Sequence, residues 1–277
     1  MALLVDFSQI FIGSYMTSAK YGDVSMNALR PSVLNTLRLY RNKFTNEYGE
    51  LILCCDDRKS WRKELFPNYK ASRKKVRTTT DTDWQDLYDK LNLLKSELIE
   101  WFPYKVLQVD KAEADDIIAV LVGLVNERTL ILSSDKDFLQ LHQFNVRQYS
   151  PIQKKFVEGN AKWSLHEKLI KGDVGDGVPN IMSDDNVFID EGRRQKPITK
   201  KKTEAWFDLE PEMFCDNEML RNLNRNRQLI DLSKVPESIC INITEQFNET
   251  QVGDRRRLLT YFVEHRLKNL TENLSEF

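Results

Sequence analysis

Acidic side chains are concentrated between Lys111 and Phe138, at a spacing that allows several carboxylates to meet. The stretch contains K-A-E-A-D-D, T-L-I-L-S-S and D-K-D-F, in that order. Its acids are Glu113, Asp115, Asp116, Asp135 and Asp137. Because carboxylate oxygens are the ligands that Mg²⁺ and Mn²⁺ prefer, we interpret these acids as a site for divalent metal.

Two buried elements would position these acids. From Ala114 to Val125 apolar residues recur at the spacing of one helix face, which predicts a helix whose first turn carries acids. The nearly all-apolar Thr129–Ser133 predicts a strand covered on both faces. Asp135 and Asp137 follow the carboxyl end of this strand, and ligands bind at that edge of open α/β sheets.

Two earlier apolar runs also end in aspartate. Ala2–Val5 is followed by Asp6, and Leu51–Cys55 by Asp56 and Asp57. Aspartate is common in turns after strands, so a single instance would indicate little. Three strands that end in this way favour a shared acidic edge.

Strands alternate with helical segments in the first part of the chain. Further strands are predicted at Lys105–Val109 and Val146–Ser150, the second being the last. Helices are predicted at Met26–Thr45, Trp84–Phe102, Ser164–Ile170, Phe214–Leu232, Glu237–Phe247 and Asp254–Leu270. This order predicts an α/β fold with a mainly parallel central sheet flanked by helices, followed by an all-helical C-terminal region. We expect one domain over residues 1–170 and a helical one over residues 171–277.

Charge is strongly segregated although the 277 residues have a net charge of −1. Between Arg58 and Arg77 nine Lys or Arg residues accompany one acid, and Arg193–Lys202 has six bases and no acid. The aromatic residues within the first segment are Trp61, Phe66 and Tyr69. Basic and aromatic segments beside an acidic cluster are typical of nucleic-acid binding, although each run alone is equally well explained as solvated surface.

Cysteine and histidine usage argues against a zinc site and a histidine-based triad. The cysteines are Cys54, Cys55, Cys215 and Cys240, without metal-ligand spacing, and the scattered histidines are His142, His166 and His265. Reduced cysteines, no signal peptide and no apolar run long enough to cross a membrane predict a cytoplasmic protein.

A glycine-rich stretch, G-D-V-G-D-G-V-P-N, follows the helix predicted at Ser164–Ile170. Its glycines permit a tight turn and a close approach of phosphate to backbone amides. The stretch also adds the carboxylates of Asp173 and Asp176. A loop that simply joins two helices would have the same glycine content. Beyond it, residues 183–202 are polar and basic, and we expect them to be flexible.

Taken in order, these motifs resemble the 5′-nuclease (flap endonuclease) family, which includes the 5′-nuclease domain of bacterial DNA polymerase I. The motifs are the strands ending at Asp6 and Asp56, W-R-K-E-L-F-P-N-Y-K-A-S-R, E-A-D-D, S-S-D-K-D-F and G-D-V-G-D-G-V-P-N. E-A-D-D followed by S-D-K-D-F at this spacing is specific, and the resemblance covers nearly the whole chain. It implies the PIN-like fold of these nucleases.

The resemblance implies two clustered divalent ions, normally Mg²⁺, with Mn²⁺ able to substitute. It assigns to the first ion Asp6, Asp56, Glu113, Asp115 and Asp135. It assigns to the second ion Asp137, Asp173 and Asp176. Asp116 matches the last acid of E-A-D-D and is a further candidate ligand, but it could instead cap the helix, where the dipole favours acids. Asp57 has no counterpart, and we interpret it as structural.

Contacts with nucleic acid are implied as well. Lys70 and Arg73 match the family's Y-K-x-x-R, on or near a helical arch (about residues 58–90) over the active site, and would contact the scissile phosphate as catalytic residues. Their i, i+3 spacing predicts one helix face. The glycine-rich turn resembles a helix–three-turn–helix that grips duplex, although the continuation at 182–186 departs from the pattern. The expected nucleic-acid-binding residues are Arg62, Lys63, Lys74, Lys75, Gly172, Gly175, Gly177, Lys200, Lys201 and Lys202.

The implied function is that of a magnesium-dependent 5′ to 3′ exonuclease and flap endonuclease that removes RNA primers in phage lagging-strand replication. Expected partners are RNA–DNA hybrid, flap and forked duplex DNA, with a single-strand-binding protein and a sliding clamp as further candidates. A monomer is expected. Two alternatives stay open, namely a branched-DNA-binding protein of the same fold without catalysis and a PIN-type single-strand ribonuclease.

Overall fold

A six-stranded sheet forms the centre of the protein. The computed structural model describes the backbone of residues 1–277 and the side chains of residues 1–73, 77–142 and 145–277. The strands are β1 (Ala2–Asp6), β2 (Leu51–Cys54), β3 (Lys105–Leu107), β4 (Thr129–Leu132), β5 (Val146–Ser150) and β6 (Lys155–Val157). Their order is β3-β2-β1-β4-β5-β6, and only β6 runs antiparallel to its neighbour. The predicted α/β class is confirmed.

Twelve α-helices surround or follow the sheet in the described backbone. They are α1 (Phe7–Lys20), α2 (Met26–Tyr48), α3 (Arg62–Leu65), α4 (Ser72–Thr78), α5 (Trp84–Trp101), α6 (Ala114–Val125), α7 (Ala161–Lys171), α8 (Lys200–Ala205), α9 (Asn217–Ile230), α10 (Glu237–Glu249), α11 (Leu258–Glu264) and α12 (Lys268–Thr271). Short 3₁₀ helices lie at Lys136–Phe144, Pro211–Met213, Leu232–Lys234, Arg255–Arg257 and Leu274–Glu276.

Three of the differences from the sequence predictions have a local cause. Helix α1 was not predicted because it begins directly at the end of β1, where the Asp6 carboxylate caps it by accepting from the Gln9 N–H at 3.1 Å. Val146–Ser150 is not the last strand, since a turn at Lys154 returns the chain as β6. The helix predicted at Asp254–Leu270 is interrupted, because Arg266 adopts a left-handed φ of 56°.

Side chains of each strand alternate between two hydrophobic cores. Leu3 and Val5 of β1 pack on one face with residues of α1, α2, α5 and α11. Leu4 packs on the other face with residues of α6 and α10. Because helices cover both faces, the central strands β1, β2 and β4 are almost entirely apolar, and each buried Leu or Val contributes about 1.5–3 kcal/mol.

The strand register brings the acids to one edge of the sheet. Asp6 is level with Cys54, and Val5 is level with Leu132. Asp56 and Asp135 therefore emerge just beyond the same carboxyl edge as Asp6, where open α/β sheets bind ligands. In the described part of the chain, no helix is both long enough and apolar enough to span a bilayer. The domain boundary near residue 170 stays a prediction.

Candidate active site

Four carboxylates at the carboxyl edge, here called the open acids, have no ion-pair partner among the described side chains: Asp6, Asp56, Asp115 and Asp135. Asp6 accepts hydrogen bonds from the Gln9 N–H and, at 3.2 Å, from the Ser133 hydroxyl. Asp56 accepts from the Ser8 hydroxyl at 2.7 Å and from the Ala114 N–H at 2.9 Å. These neutral donors orient the carboxylates without balancing their charge.

Burial and the neighbouring carboxylates both raise the pKa of two open acids, Asp6 and Asp115. Burial, then the charge of Asp56, raises the pKa of Asp6 to about 7. Burial, then Asp135 and Asp6, raises the pKa of Asp115 well above its ordinary value. Carboxyls that are buried beside like charges hold their protons unless a cation arrives. The site therefore favours an added positive ion.

The donor chemistry of the open acids fits a hard divalent ion. All four side chains offer anionic oxygen, which suits Mg²⁺ or Mn²⁺. Within residues 1–73, 77–142 and 145–277, no three Asp, Glu, His or Cys side chains already surround one point as ligands would.

A second set of carboxylates, here called the paired acids, is neutralised by cations of the chain itself: Glu113, Asp137, Asp173 and Asp176. Glu113 accepts from Lys70 Nζ at 2.6 Å and Arg62 Nη1 at 3.2 Å. Burial alone would raise the pKa of Glu113, but Lys70 and Arg62 outweigh it and lower the pKa. Asp176 pairs with Arg73 and lies 3.8 Å from Lys70 Nζ.

Lys168 of α7 neutralises the other two paired acids. Its ammonium binds a carboxylate oxygen of Asp137 and lies 2.7 Å from Asp173 Oδ2. Burial lowers the pKa of Lys168, but Asp137 and Asp173 raise it by more. Burial, then Asp135, still raises the pKa of Asp137 to about 6. Sequence reasoning missed Lys168, because nothing distinguishes it from the other lysines of an amphipathic helix.

Lys70 and Arg73 converge on the acids, but not from one helix face. Lys70 precedes α4 and has a left-handed φ of 56°, and its N–H donates to the Asp176 carbonyl at 2.7 Å. Arg73, within α4, reaches Asp176 and donates to the Gly175 carbonyl at 3.1 Å. The predicted shared helix face is therefore wrong, since the turn at Lys70 brings the two side chains together instead.

Asp116 caps α6 and is not free to bind metal. Asp116 Oδ2 accepts from the Glu113 N–H at 2.9 Å and from Trp61 Nε1 at 3.0 Å, in a capping box. Arg62 donates to both oxygens of Asp116, at 2.7 and 3.0 Å. The residue is 0% exposed. Of the two interpretations offered by the sequence, the structure supports the cap.

Several residues of the basic segment are buried, which corrects their prediction as a nucleic-acid surface. Arg62 is 2% exposed and also donates to the Leu229 carbonyl, so its guanidinium is not available to a phosphate. Trp61, Phe66 and Tyr69 lie in the hydrophobic cores, and none of them presents a stacking face. Lys63 is exposed. Lys74 and Lys75 lie outside the residues whose side chains are described.

Asp57 is structural, as expected, since its carboxylate accepts from Gln108 Nε2 at 3.0 Å and from the Lys111 N–H at 3.1 Å.

The conformation of the glycine-rich turn is required by close packing of its backbone. Gly172 has a φ of 69°, and a Cβ there would lie 2.2 Å from the Val178 carbonyl oxygen. Gly177, with a φ of 71°, approaches the backbone of Asn68. Binding of nucleic acid by Gly172, Gly175 and Gly177 stays a prediction.

Residues 183–202 form hydrogen bonds with one another and with Asn180, and their expected flexibility stays a prediction. Asn180 donates its N–H to Gln195 Oε1 at 2.7 Å and its side-chain amide to the Lys196 carbonyl at 2.7 Å. The Lys196 N–H donates to the Ser183 hydroxyl at 2.9 Å. Thr199 caps α8, whose Lys200, Lys201 and Lys202 are exposed.

Both sets of acids border one small cleft. Its lining includes Asp115 of the open acids, three of the paired acids, and Tyr69. The cavity of about 10 Å³ has room for about one water molecule. The Tyr69 hydroxyl lies 2.8 Å from Glu113 Oε2 and 2.7 Å from Asp176 Oδ2, so it links the arch segment to both acids.

An open, mostly parallel sheet with carboxylates at its carboxyl edge, beside a cationic turn, is consistent with a 5′-nuclease, and the comparisons with known proteins identify this class. The chain belongs to the 5′-3′ exonuclease family: residues 1–169 match the family described as "5′-3′ exonuclease, N-terminal resolvase-like domain". Residues 159–277 match "T4 RNase H, C terminal". The resemblance found in the sequence is thereby confirmed.

Individual proteins that are similar to this chain are also nucleases. Ribonuclease H of Enterobacteria phage T4 is 32% identical over 99% of this chain and 95% of its own length. A flap endonuclease, Xni, of Shewanella baltica (strain OS223) is 29% identical over 45% of this chain and 49% of its own length. A flap endonuclease of bacteriophage T5, solved with DNA and metal ions, superposes with a TM-score of 0.64 at 18% identity, covering 90% of this chain and 98% of the other.

Proposed function

We propose that this protein is a magnesium-dependent 5′ to 3′ exonuclease and flap endonuclease that removes RNA primers from RNA–DNA hybrids during phage lagging-strand replication. The observation that carries the proposal is the set of open acids, whose charge is balanced by no ion pair among the described residues. Similarity to a phage ribonuclease H over the full chain supports the RNA–DNA substrate. Similarity to flap endonucleases supports cleavage at branched DNA.

The open acids and Glu113 would hold the first divalent ion, and Asp137, Asp173 and Asp176 would hold the second. When bound, such ions lower the pKa of water and neutralise charge on the reacting phosphate. Mn²⁺ would substitute for Mg²⁺, because both accept oxygen ligands. The chain's own residues supply orientation, since Ser8 and Ser133 fix Asp56 and Asp6.

Lys70 and Arg73 would bind the scissile phosphate. Both now pair with carboxylates beside the open acids, so a phosphate bound at this edge of the sheet would find their cations within reach. Charge at this position stabilises a transition state in which negative charge builds up. Tyr69 holds the turn that carries Lys70, through its contacts with Glu113 and Asp176.

Binding of duplex would use the rest of the basic surface. Lys63, the glycine-rich turn and the exposed Lys200, Lys201 and Lys202 are the groups that we expect to contact flap or forked DNA. A monomer in the host cytoplasm, with a single-strand-binding protein and a sliding clamp as partners, would suit this activity. The domain boundary near residue 170 would separate the metal-binding part from the duplex-binding part.

Cleavage of a 5′-labelled flap and of an RNA–DNA hybrid, with and without Mg²⁺, tests the proposal. We expect short 5′ products from both substrates only when the metal is present. The Asp135→Asn variant should abolish cleavage and keep binding, whereas Asp208→Asn, at an exposed site, should act as wild type. Binding without cleavage would instead support a catalytically silent branched-DNA protein, and cleavage of single-stranded RNA alone a PIN-type ribonuclease.

A further inference from the structure

We propose that Lys168 is a built-in counter-ion of the Asp137–Asp173 pair, and that a divalent ion binds this pair only by displacing its ammonium group. The inference deepens the proposed function and rests on it. In the metal-free state, the ammonium of Lys168 would therefore occupy the position proposed for the second ion. Binding there is then a competition between two cations.

The geometry places the ammonium of Lys168 between carboxylates from two separate elements. Asp137 belongs to the 3₁₀ helix that follows β4, whereas Asp173 belongs to the glycine-rich turn after α7. Lys168 Nζ binds both, the Asp173 oxygen at 2.7 Å. A cation shared by these two acids must occupy the space that the ammonium occupies now.

Charge explains why a cation is retained there. Asp137 also has Asp135 beside it, and the Asp137 N–H donates to Asp135 Oδ1 at 2.9 Å. Lys168 is the only described base that forms an ion pair with Asp137 or Asp173. Its side chain is 26% exposed, and those of the two acids 19% and 20%. In such partly buried positions, unbalanced carboxylates repel strongly.

A simpler explanation would make Lys168 an ordinary lysine near a helix C-terminus, where the dipole favours cations. Lys171 fits that description, since it lies in the last turn of α7 and pairs with Glu167 one turn earlier, at 2.6 Å. Lys168 instead reaches across to Asp137, which lies on another element. The side chain of Lys168 therefore links α7 to the 3₁₀ helix that contains Asp137. Lys171, which pairs only within α7 among the described residues, is a matched control.

The open acids provide the internal contrast. They form no ion pair among the described side chains, so a metal ion binding there displaces no protein cation. At the Asp137–Asp173 pair, the same ion must first break both ion pairs of Lys168. The two places should therefore differ in affinity, and removal of the Lys168 charge should strengthen binding at one of them only.

Calorimetric titration of Mn²⁺ into metal-free protein, without nucleic acid, tests the proposal. We expect a tighter and a weaker binding event in wild type. Lys168→Met should tighten the weaker event by about tenfold or more, because a charge competing with the ion at short range is removed. The tighter event should be unchanged, and Lys171→Met should match wild type. The melting temperature in chelator should fall in Lys168→Met and recover when Mn²⁺ is added.

Lys168→Gln provides a second variant if the methionine variant does not fold. Unchanged or weakened Mn²⁺ binding in a folded Lys168 variant, while wild type still cleaves a flap, would overturn the role of Lys168 and leave the nuclease intact. If wild type bound no Mn²⁺ and cleaved no substrate, the proposed function itself would fail, and this inference with it.

Discussion

The open acids and the paired acids lie at the same edge of the sheet but differ in how their charge is balanced. Burial and mutual repulsion raise the pKa of Asp6 to about 7. Burial alone would raise the pKa of Asp176 too, but Lys70 and Arg73 outweigh it and lower the pKa. The open acids thus have no protein cation to balance them among the described side chains, whereas the paired acids already have cations of the chain itself.

Removing one open acid should have the largest effect on catalysis. Asp115→Asn should reduce single-turnover cleavage by about a thousandfold or more, because bound metal supplies several kcal/mol of charge stabilisation. Binding of flap DNA in the variant should stay near wild type. Asp208→Asn is the control and should cleave as wild type does. Normal cleavage by Asp115→Asn at saturating Mg²⁺ would contradict the proposed role of the open acids.

Lys70→Ala should have the next largest effect, about a hundredfold loss of single-turnover rate, since charge near the reacting phosphate is most valuable in the transition state. The salt dependence of DNA binding should barely change. Lys63→Ala, at an exposed position of the same segment, should behave in the opposite way. Equal effects of the two variants on the rate would contradict the special position of Lys70.

Without metal, substitution of an open acid and of a paired acid should change the melting temperature in opposite directions. Asp115→Asn should raise the melting temperature in chelator by about 2–4 °C, since it replaces a carboxyl that must either hold a proton or repel its neighbours, at a cost of about 1 kcal/mol. Asp176→Asn should lower it, because Arg73 and Lys70 lose their partner. Melting curves of both variants decide this, and a loss of stability in both would show that the open acids do not repel.

The pH dependence of stability should also differ. The pKa of Asp6 is raised in the folded state, so its contribution is present at low pH and is lost as the pH rises toward about 7. The pKa of Asp176 is lowered, so its contribution is present at neutral pH and is lost as the pH falls below its ordinary range. In chelator, Asp6→Asn should flatten the decline above about pH 5. If the stability of Asp6→Asn fell with pH as steeply as that of wild type, the Asp6 carboxyl would not be the cause of the decline.

The smallest effect on catalysis should come from the exposed bases of α8. Changing Lys200, Lys201 and Lys202 to Ala should weaken DNA binding and flatten its salt dependence by about one log–log unit for each phosphate that the variant no longer neutralises. Cleavage at saturating enzyme should be unchanged. Binding titrations at several salt concentrations measure the slope, and a wild-type slope would identify this run as solvated surface.

Much of the fold could be predicted because apolar periodicity reports burial directly. Strands β1, β2 and β4, helix α6 and the acids that follow them were found from spacing. Helix α1 could not be found, since no turn residues separate it from β1. β6 has only three residues, too few to show a period.

The pairing of charges could not be predicted, because it depends on contacts between distant segments. Arg62 looked like a surface base, yet it binds Asp116 from 54 residues away. Lys70 adopts a left-handed turn that no local motif requires, and this turn, rather than helical spacing, brings it to Glu113. Spacing identified which acids approach the edge, but it could not show which of them have partners.

Anomalous diffraction from crystals equilibrated with Mn²⁺ would test most directly that the open acids bind divalent metal. We predict a strong manganese peak among the carboxylates of Asp6, Asp56, Asp115 and Asp135, and loss of that peak in Asp115→Asn crystals. A weaker peak beside Asp137 and Asp173 should appear at higher Mn²⁺ concentration. A well-ordered wild-type crystal at saturating Mn²⁺ with no peak among the open acids would contradict the account.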